Sequence, residues 1–343
     1  MSDVDLGAPE DAPDADAPEA EASRRPARAA KLMALAGLVL GGLAVGFVVR
    51  TLVHEWPRVS EDLKHADLRF LGLAAVCAAL GMTSIGWAWR SVMRVLGVDA
   101  PLSRVIPWYY VGELGKYVPG GIWPVLGRGE LARNGGVPRS RAYASVAMSL
   151  GVLYLAAMFV AAAFLPFGLS GGTGFSPWML ALLALPVGVV VLHHEVLGRL
   201  VDLVGRVSGR AIDLPIPVWR DSLLLVARYV PTCLFIGTAT WAVGRATTTD
   251  ISYPRVMFAT ILSWVVGFLA VPVPSGAGIR EAVLYATSGL TKSQSVFTAV
   301  TARIIFVLVD VLGAAICAPL VRRRTRVGAK VGPLPQPGDA PHG

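Results

Sequence analysis

The sequence predicts an all-α polytopic integral membrane protein with about six full spans plus two re-entrant helical hairpins in an inverted repeat. Three observations support this prediction. Apolar residues make up 54% of the 343 residues and charged residues only 16%, whereas soluble globular proteins have roughly 45–50% and about 25%. The apolar residues are concentrated in long stretches that are almost free of charge. Two further apolar stretches end at clusters of proline and glycine, at corresponding places in two similar halves of the chain.

Six stretches are long enough to cross the hydrocarbon core, which requires roughly 20 apolar helical residues. They are Leu32–Val49, Leu68–Trp89, Ala142–Phe167, Pro177–Leu192, Ser222–Val243 and Val296–Leu320. The first follows a basic cluster and could be a signal peptide, but its length and the acidic segment before it favour an uncleaved anchor. The stretches exclude a soluble domain, a disordered chain and a secreted disulfide scaffold.

The two ends of the chain differ in composition from the membrane part. Residues 1–22 contain eight acidic residues and no basic residue, and residues 322–343 are basic and then rich in proline and glycine. Segments of this kind cannot bury enough apolar surface to fold. We therefore expect a disordered acidic tail with a basic flank at 1–31, a transmembrane domain at 32–321 and a cytoplasmic tail at 322–343.

Two apolar stretches, Arg104–Val118 and Val256–Val271, do not fit simple crossings because each ends at a predicted helix break. The breaks are Pro119, Gly120 and Gly121 in the first half and Pro274 and Gly276 in the second. Proline removes a backbone donor and glycine loosens the chain, so a helix ends or kinks there. In a membrane, such backbone is tolerated inside protein or beside a wet cavity. We interpret both as re-entrant hairpins; the alternative is a loop followed by an ordinary kinked span.

The distribution of basic residues indicates the orientation. With both hairpins non-crossing, the segments on the side of the N-terminus hold 21 Lys and Arg residues, and the segments on the other side hold 8. Basic residues are enriched in cytoplasmic loops. We therefore expect a multi-pass protein of the plasma (inner) membrane with both termini in the cytoplasm. No recognition motif accompanies the basic residues, so no nucleic-acid partner is expected.

The two halves, about 68–167 and 222–320, share the order span, half-helix, break, Arg/Glu motif, turn and span. The corresponding pairs are Trp87-Ala88 with Trp241-Ala242, Arg104-Val105 with Arg255-Val256, Pro119–Gly121 with Pro274–Gly276, Arg128–Glu130 with Arg280-Glu281, and Gly136–Ser140 with Gly289–Ser293. On the charge count, the first break opens from the inside and the second from the outside. Inverted repeats with broken helices that meet near the midplane are typical of secondary transporters.

Several charged residues lie where lipid is expected, and such residues persist mainly where they pair or line a cavity. Arg303 and Asp310 are seven residues apart in the last span, so both lie on one helical face. The candidate substrate-binding residues are Glu113, Lys116, Tyr117, Trp123, Arg128, Arg280, Glu281, Arg303 and Asp310. Fixed positive charge beside helix breaks suits an anionic group such as a phosphate. The alternatives are interfacial residues that extend toward the membrane surface and structural ion pairs.

Motifs for catalysis and cofactors are missing from the sequence. It has no Walker loop, no HExxH or GxSxG motif and no Cys/His ligand cluster. We therefore expect no catalytic residues, no metal and no cofactor.

Two ordered signatures resemble a known membrane family. The run Gly112–Trp123 with Arg128, and the run Pro272–Glu281 followed by the span of Arg303, are similar to those of the lysylphosphatidylglycerol synthase transmembrane region, or flippase-like domain, family. The resemblance covers about 32–321 and implies translocation of lipids between leaflets. In bifunctional members the membrane domain flips aminoacylated phosphatidylglycerol that an attached aminoacyltransferase has made.

We therefore expect a flippase-like transporter of an anionic or phosphate-containing lipid, with membrane lipids as its partners. The sequence stops roughly 20 residues after the last span, so we expect a stand-alone member without the aminoacyltransferase domain. A separately encoded lipid-modifying enzyme would then be a further partner. The alternative is a membrane-embedded transferase, or an accessory subunit, that acts on polyprenyl-phosphate or phospholipid.

Overall fold

A computed structural model describes residues 60–61, 63–117, 122–169, 177–191, 193–208, 215, 218–269 and 278–326. These residues form helices and no β-strand. The α-helices are α1 (Leu68–Val95), α2 (Leu102–Glu113), α3 (Trp123–Asn134), α4 (Arg139–Leu169), α5 (Ala184–Val191), α6 (His194–Ser208), α7 (Trp219–Arg245), α8 (Tyr253–Leu269), α9 (Ile279–Ser288) and α10 (Lys292–Arg326). The predicted tail 1–31, the predicted span Leu32–Val49 and all five predicted break residues lie outside this part of the chain. The predicted tail 322–343 lies outside it from residue 327, whereas its residues 322–326 are not disordered but continue helix α10.

Four of these helices, α1, α4, α7 and α10, are long and apolar enough to span a membrane. They coincide with four of the predicted spans. Their outward faces carry large apolar side chains, such as Leu312 and Ile316 of α10, which are 59% and 71% exposed. Water would not favour such contiguous apolar surfaces, whereas lipid does. The chain is therefore an all-α, multi-pass membrane protein.

The predicted span Pro177–Leu192 is not one continuous helix. Its first part is a 3₁₀ helix, Pro177–Leu183, and its second part is the short helix α5. Pro186 lacks the amide hydrogen that would bond the Leu182 carbonyl, and its ring crowds that carbonyl. A regular α-helix is therefore interrupted at this point, which hydrophobicity alone did not indicate.

Two pairs of shorter helices form antiparallel hairpins. In the first hairpin, α2 continues as the 3₁₀ turn Leu114–Tyr117 and then pairs with α3. Arg104 near the start of α2 donates to the Gly135 carbonyl beyond α3 at 3.4 Å. At the opposite end, called here the tip, Gly115 abuts the backbone of Trp123.

The second hairpin pairs α8 with α9 in the same way. Near its open end, the Arg255 guanidinium packs on Gly289, which follows α9 and has a φ of 73°. Close to its tip, Gly267 of α8 faces Arg280 of α9. The predicted half-helices Arg104–Val118 and Val256–Val271 thus correspond to the first limbs of these hairpins, α2 with its 3₁₀ turn and α8.

The two hairpins open at opposite ends of the helical bundle. Helix α4 starts beside the open end of the first hairpin, and its far end packs through Gly168 on Phe258, near the open end of the second. Helix α10 runs the other way, because it starts beside the open end of the second hairpin and packs through Gly313 on Tyr110 of the first. Each hairpin therefore contacts the long helix that ends the other half of the chain.

Helices α1 and α7 are neighbours that run antiparallel. The Asp67 amide at the start of α1 donates to the Ala246 carbonyl at the end of α7, at 2.9 Å. Further along the pair, the Ser84 and Thr232 hydroxyls share a hydrogen bond of 2.6 Å. These contacts join α1, the first described long helix of one half, to α7, the first long helix of the other half.

Candidate functional site

The tip of the first hairpin reaches the middle of α10. Asp310 lies near the midpoint of this 35-residue helix and is fully buried. Its Oδ2 atom accepts a hydrogen bond from the Tyr117 hydroxyl at 2.6 Å and lies 2.6 Å from the Lys116 ammonium. Its Oδ1 atom is buried and has no hydrogen-bond partner among the described residues. The buried Asp310 carboxylate of the second half thus forms a charged contact with Lys116 and Tyr117 of the first half.

Glu113 extends this cluster toward the second limb of the first hairpin. Its carboxylate lies 3.5 Å from the Lys116 ammonium and 3.5 Å from the Arg128 guanidinium. Trp123 packs beside the tip in an apolar group with Tyr117 and Val307. The predicted residues Glu113, Lys116 and Tyr117 therefore do share one helical region, as their spacing indicated.

Arg128 is enclosed by protein, with only 2% of its side chain exposed. Its guanidinium lies 5.9 Å from the centre of the Trp89 ring and 5.6 Å from that of Tyr109. Its Nε atom donates to the Pro124 carbonyl at 3.4 Å. Aromatic faces and a nearby carboxylate stabilise a desolvated guanidinium. In this arrangement Arg128 holds the first hairpin together.

The second hairpin carries a different arrangement of charge. Glu281 accepts from the Gly278 amide at 2.6 Å and from Arg303 of α10 at 3.4 Å. Arg280 lies over the Trp264 ring, with 5.0 Å between the guanidinium carbon and the ring centre. The Arg280 Nε atom is buried without a hydrogen-bond partner, and no carboxylate in the described part of the chain lies within salt-bridge distance of it.

Helix α10 joins the two charged clusters. Arg303 contacts the second hairpin and Asp310 contacts the first, and seven residues of helix separate them by about 10 Å along the axis. The structure thus brings eight of the nine predicted residues into two adjoining charged clusters, with Trp123 in the apolar packing beside them.

Three residues of the site were missed in the sequence. Phe268 of the second hairpin stacks on Tyr154 with 3.7 Å between ring centres, and Tyr154 is near the midpoint of α4. Trp264 supplies the ring beneath Arg280. A tyrosine in the centre of an apolar span was a signal that could have been used for Tyr154, because its hydroxyl needs a polar neighbour. Trp264 and Phe268 gave no such signal.

Apolar side chains surround the charged tips. Ile122 and Leu126 of the first hairpin and Phe268 and Leu269 of the second are 54%, 36%, 45% and 53% exposed. Their exposure beside buried ionised groups places polar and apolar surfaces within one region. An amphipathic molecule that has a charged head and hydrocarbon chains matches such a region, whereas a small hydrophilic solute does not.

The described residues contain no group of three or more His, Cys, Asp or Glu side chains that could hold a metal ion. A comparison with curated proteins finds no match. A family model described as the lysylphosphatidylglycerol synthase TM region matches residues 34–314, which include both hairpins and most of α10. This match links the chain to lipid metabolism or transport in the membrane. The chain belongs to the lysylphosphatidylglycerol synthase transmembrane region family.

Proposed function

We propose that the protein moves an anionic, phosphate-containing lipid between the leaflets of the plasma membrane. The observation that carries this proposal is Arg280, a guanidinium near the tip of the second hairpin that has no carboxylate partner in the described part of the chain. Ionised groups at membrane depth are kept mainly where they pair or bind a substrate. Arg280 and Arg303 would bind the phosphate, while the acyl chains stay in lipid beside the exposed apolar tips.

The arrangement of the hairpins supports an inverted repeat with re-entrant segments. The hairpins open at opposite ends of the bundle; the first contacts α10 and the second contacts α4. This arrangement is expected if the two hairpins enter the membrane from opposite sides and each returns to the side from which it entered. A headgroup could then reach the charged clusters from either leaflet when one tip shifts. Both termini would be cytoplasmic, because the end at which the first hairpin opens carries the larger number of basic residues.

In this proposal the chain is a transporter without catalytic residues, and a separately encoded enzyme makes or consumes the lipid. The contact of Lys116 and Tyr117 with Asp310 would hold the first hairpin in place while the headgroup is bound. Movement would be downhill or coupled to an ion. Glu113, Glu281 and Asp310 are the carboxylates within the two clusters that could carry protons.

A transport assay in proteoliposomes tests the proposal. Purified protein is reconstituted with phosphatidylglycerol labelled on an acyl chain, and a membrane-impermeant reductant then reports how much label reaches the outer leaflet. We expect movement with the wild type and at least a tenfold slower rate with Arg280→Gln or Arg303→Gln. The control is Arg94→Gln, which removes an exposed ion pair with Asp99. Equal rates in protein-free and wild-type vesicles would contradict the proposed function.

A further inference from the structure

The two hairpins share a local motif that includes an arginine, an aromatic ring and a glycine. In the first, Tyr109 and Gly112 are three residues apart on α2, and in the second Trp264 and Gly267 have the same spacing on α8. In each hairpin, the arginine of the opposite limb contacts both the aromatic ring and the glycine. A Cβ on Gly112 would lie 2.6 Å from Arg128 Cγ, and a Cβ on Gly267 would lie 2.8 Å from Arg280 Cγ. Arg128 and Arg280 therefore occupy equivalent places.

The residue after the glycine differs between the hairpins. In the first hairpin it is Glu113, whose Oε2 atom lies 3.5 Å from the Arg128 guanidinium. In the second it is Phe268, which stacks on Tyr154 and has no charge. The position that supplies the carboxylate for Arg128 is thus occupied by a ring in the hairpin of Arg280.

This difference changes the charge balance of the two clusters. The first contains two bases and two acids, Arg128 and Lys116 with Glu113 and Asp310, and is formally neutral. Among the described residues, the second contains two bases and one acid, Arg280 and Arg303 with Glu281, which leaves one net positive charge. A partly buried guanidinium without its counter-charge is costly, because the desolvation of its buried Nε atom is not offset by an ion pair. Binding of one negative charge removes that cost.

We infer that Phe268 is a specificity-determining residue, because by replacing a carboxylate it leaves Arg280 to bind a headgroup phosphodiester with one negative charge. This inference rests on the proposed function, since it names the charge class of the lipid at the same site. The planar guanidinium of Arg280 can donate two parallel hydrogen bonds to a phosphate while its face stays on Trp264. A zwitterionic headgroup offers the same phosphate but brings an ammonium group close to Arg303.

The direct test introduces the missing carboxylate. Phe268→Glu places an acid in the same relation to Arg280 as Glu113 has to Arg128, and Phe268→Gln is the control of equal size without charge. Binding of phosphatidylglycerol, phosphatidylcholine and free glycerol phosphate is titrated against purified protein in a zwitterionic detergent. We expect Phe268→Glu to bind phosphatidylglycerol at least about tenfold more weakly than Phe268→Gln, because both variants lose the ring and only the first adds a carboxylate.

The other ligands and a second pair of variants complete the test. Wild-type protein should prefer phosphatidylglycerol over phosphatidylcholine, and glycerol phosphate should compete poorly if the site takes lipid rather than free phosphate esters. If Phe268→Glu does not fold, Arg280→Gln should lose the preference and Arg280→Lys should keep part of it. The inference would be overturned if folded Phe268→Glu or folded Arg280→Gln bound phosphatidylglycerol as tightly as the wild type does. Effective competition by glycerol phosphate would also overturn it.

The binding titration and the transport assay fail in different ways. If the wild type moves phosphatidylglycerol and Phe268→Glu moves and binds it equally well, the specificity role of Phe268 is wrong and the transport function stands. If Phe268→Glu loses binding but the wild type moves no lipid, the site binds an anionic lipid and the transport function is wrong.

Discussion

The Lys116 Nζ atom lies 2.6 Å from the Asp310 Oδ2 atom, in a contact between the tip of the first hairpin and the middle of α10. The two partners differ in burial, because Asp310 is fully buried while Lys116 keeps 26% of its side chain exposed. Asp310 therefore depends on this hairpin for its counter-charge, whereas Lys116 has a second carboxylate in Glu113. Displacement of the tip would leave the Asp310 carboxylate buried without a counter-charge. This cost favours the position of the first hairpin in which Lys116 contacts Asp310.

Lys116→Met should destabilise the protein, because it leaves the fully buried Asp310 carboxylate without its counter-charge. We expect the free energy of unfolding to fall by about 3 kcal/mol. The double variant Asp310→Asn/Lys116→Met should recover part of that loss, because it leaves no unpaired charge at this contact. Denaturant unfolding in detergent micelles measures all forms. Strictly additive losses would show that the two groups do not interact.

Gly112→Ala and Gly267→Ala should both impair the hairpins. An added Cβ would lie 2.7 Å from the Arg128 backbone nitrogen in the first case, so the limbs must separate, and 2.7 Å from Arg280 Nε in the second, so the arginine side chain or the limbs must shift. Overpacking of this kind costs about 1–3 kcal/mol.

Gly151→Ala in α4 is the matched control for these glycine variants, because nothing lies within 4 Å of a Cβ at this position. Alanine is the better helix former, so this variant should be neutral or slightly more stable. Melting temperatures of the three purified variants measure the difference. If Gly151→Ala loses as much stability as Gly112→Ala, close approach of the limbs is not the cause.

Arg128→Lys should cost more stability than Arg280→Lys. Arg128 donates to the Pro124 carbonyl, pairs with Glu113 and lies over two rings, and an ammonium cannot reproduce this geometry. We expect a loss of about 2 kcal/mol for Arg128→Lys and less than about 1 kcal/mol for Arg280→Lys, which has one ring contact. Unfolding of both variants without added lipid gives the comparison. The reverse order would make Arg280 the structural arginine.

Two variants that each add one cysteine to the wild type test whether the hairpins open on opposite sides of the membrane. Ser140 lies beside the open end of the first hairpin and Ser293 beside that of the second, and both are exposed. A membrane-impermeant maleimide should label Ser293→Cys in intact cells and Ser140→Cys only after permeabilisation. The wild type is the control, because Cys77, Cys233 and Cys317 are buried. Labelling of both variants in intact cells would contradict the inverted arrangement.

Much of the bundle could be predicted from the sequence. Long charge-poor stretches predicted α1, α4, α7 and α10, because only a helix satisfies its own backbone in lipid. The predicted span Pro177–Leu192 is not confirmed, because a 3₁₀ helix and the short helix α5 occupy this segment. Hydrophobicity does not register the backbone donor that Pro186 lacks. The family membership suggested by the two signatures is confirmed by the match over residues 34–314.

The site was harder to predict than the spans. Charge in apolar runs indicated Asp310 and Arg303, because such residues are rare at membrane depth. Which partners they choose depends on packing between distant helices, and spacing along one helix cannot show it. Arg128 and Arg280 have similar sequence settings, yet only the structure separates an arginine paired with Glu113 from one that lacks a carboxylate partner among the described residues.

Each hairpin completes its packing against a helix from the other half: the first on α10 at Asp310, the second on α4 at Tyr154. Neither half is consequently a self-sufficient unit, because on its own it would present an ionised hairpin tip to hydrocarbon. If the two halves descend from one shorter gene, the ancestral product had to assemble as an antiparallel pair of identical chains. In one polypeptide the two arginine positions can differ, and here one arginine pairs with Glu113 while the other has no carboxylate partner among the described residues.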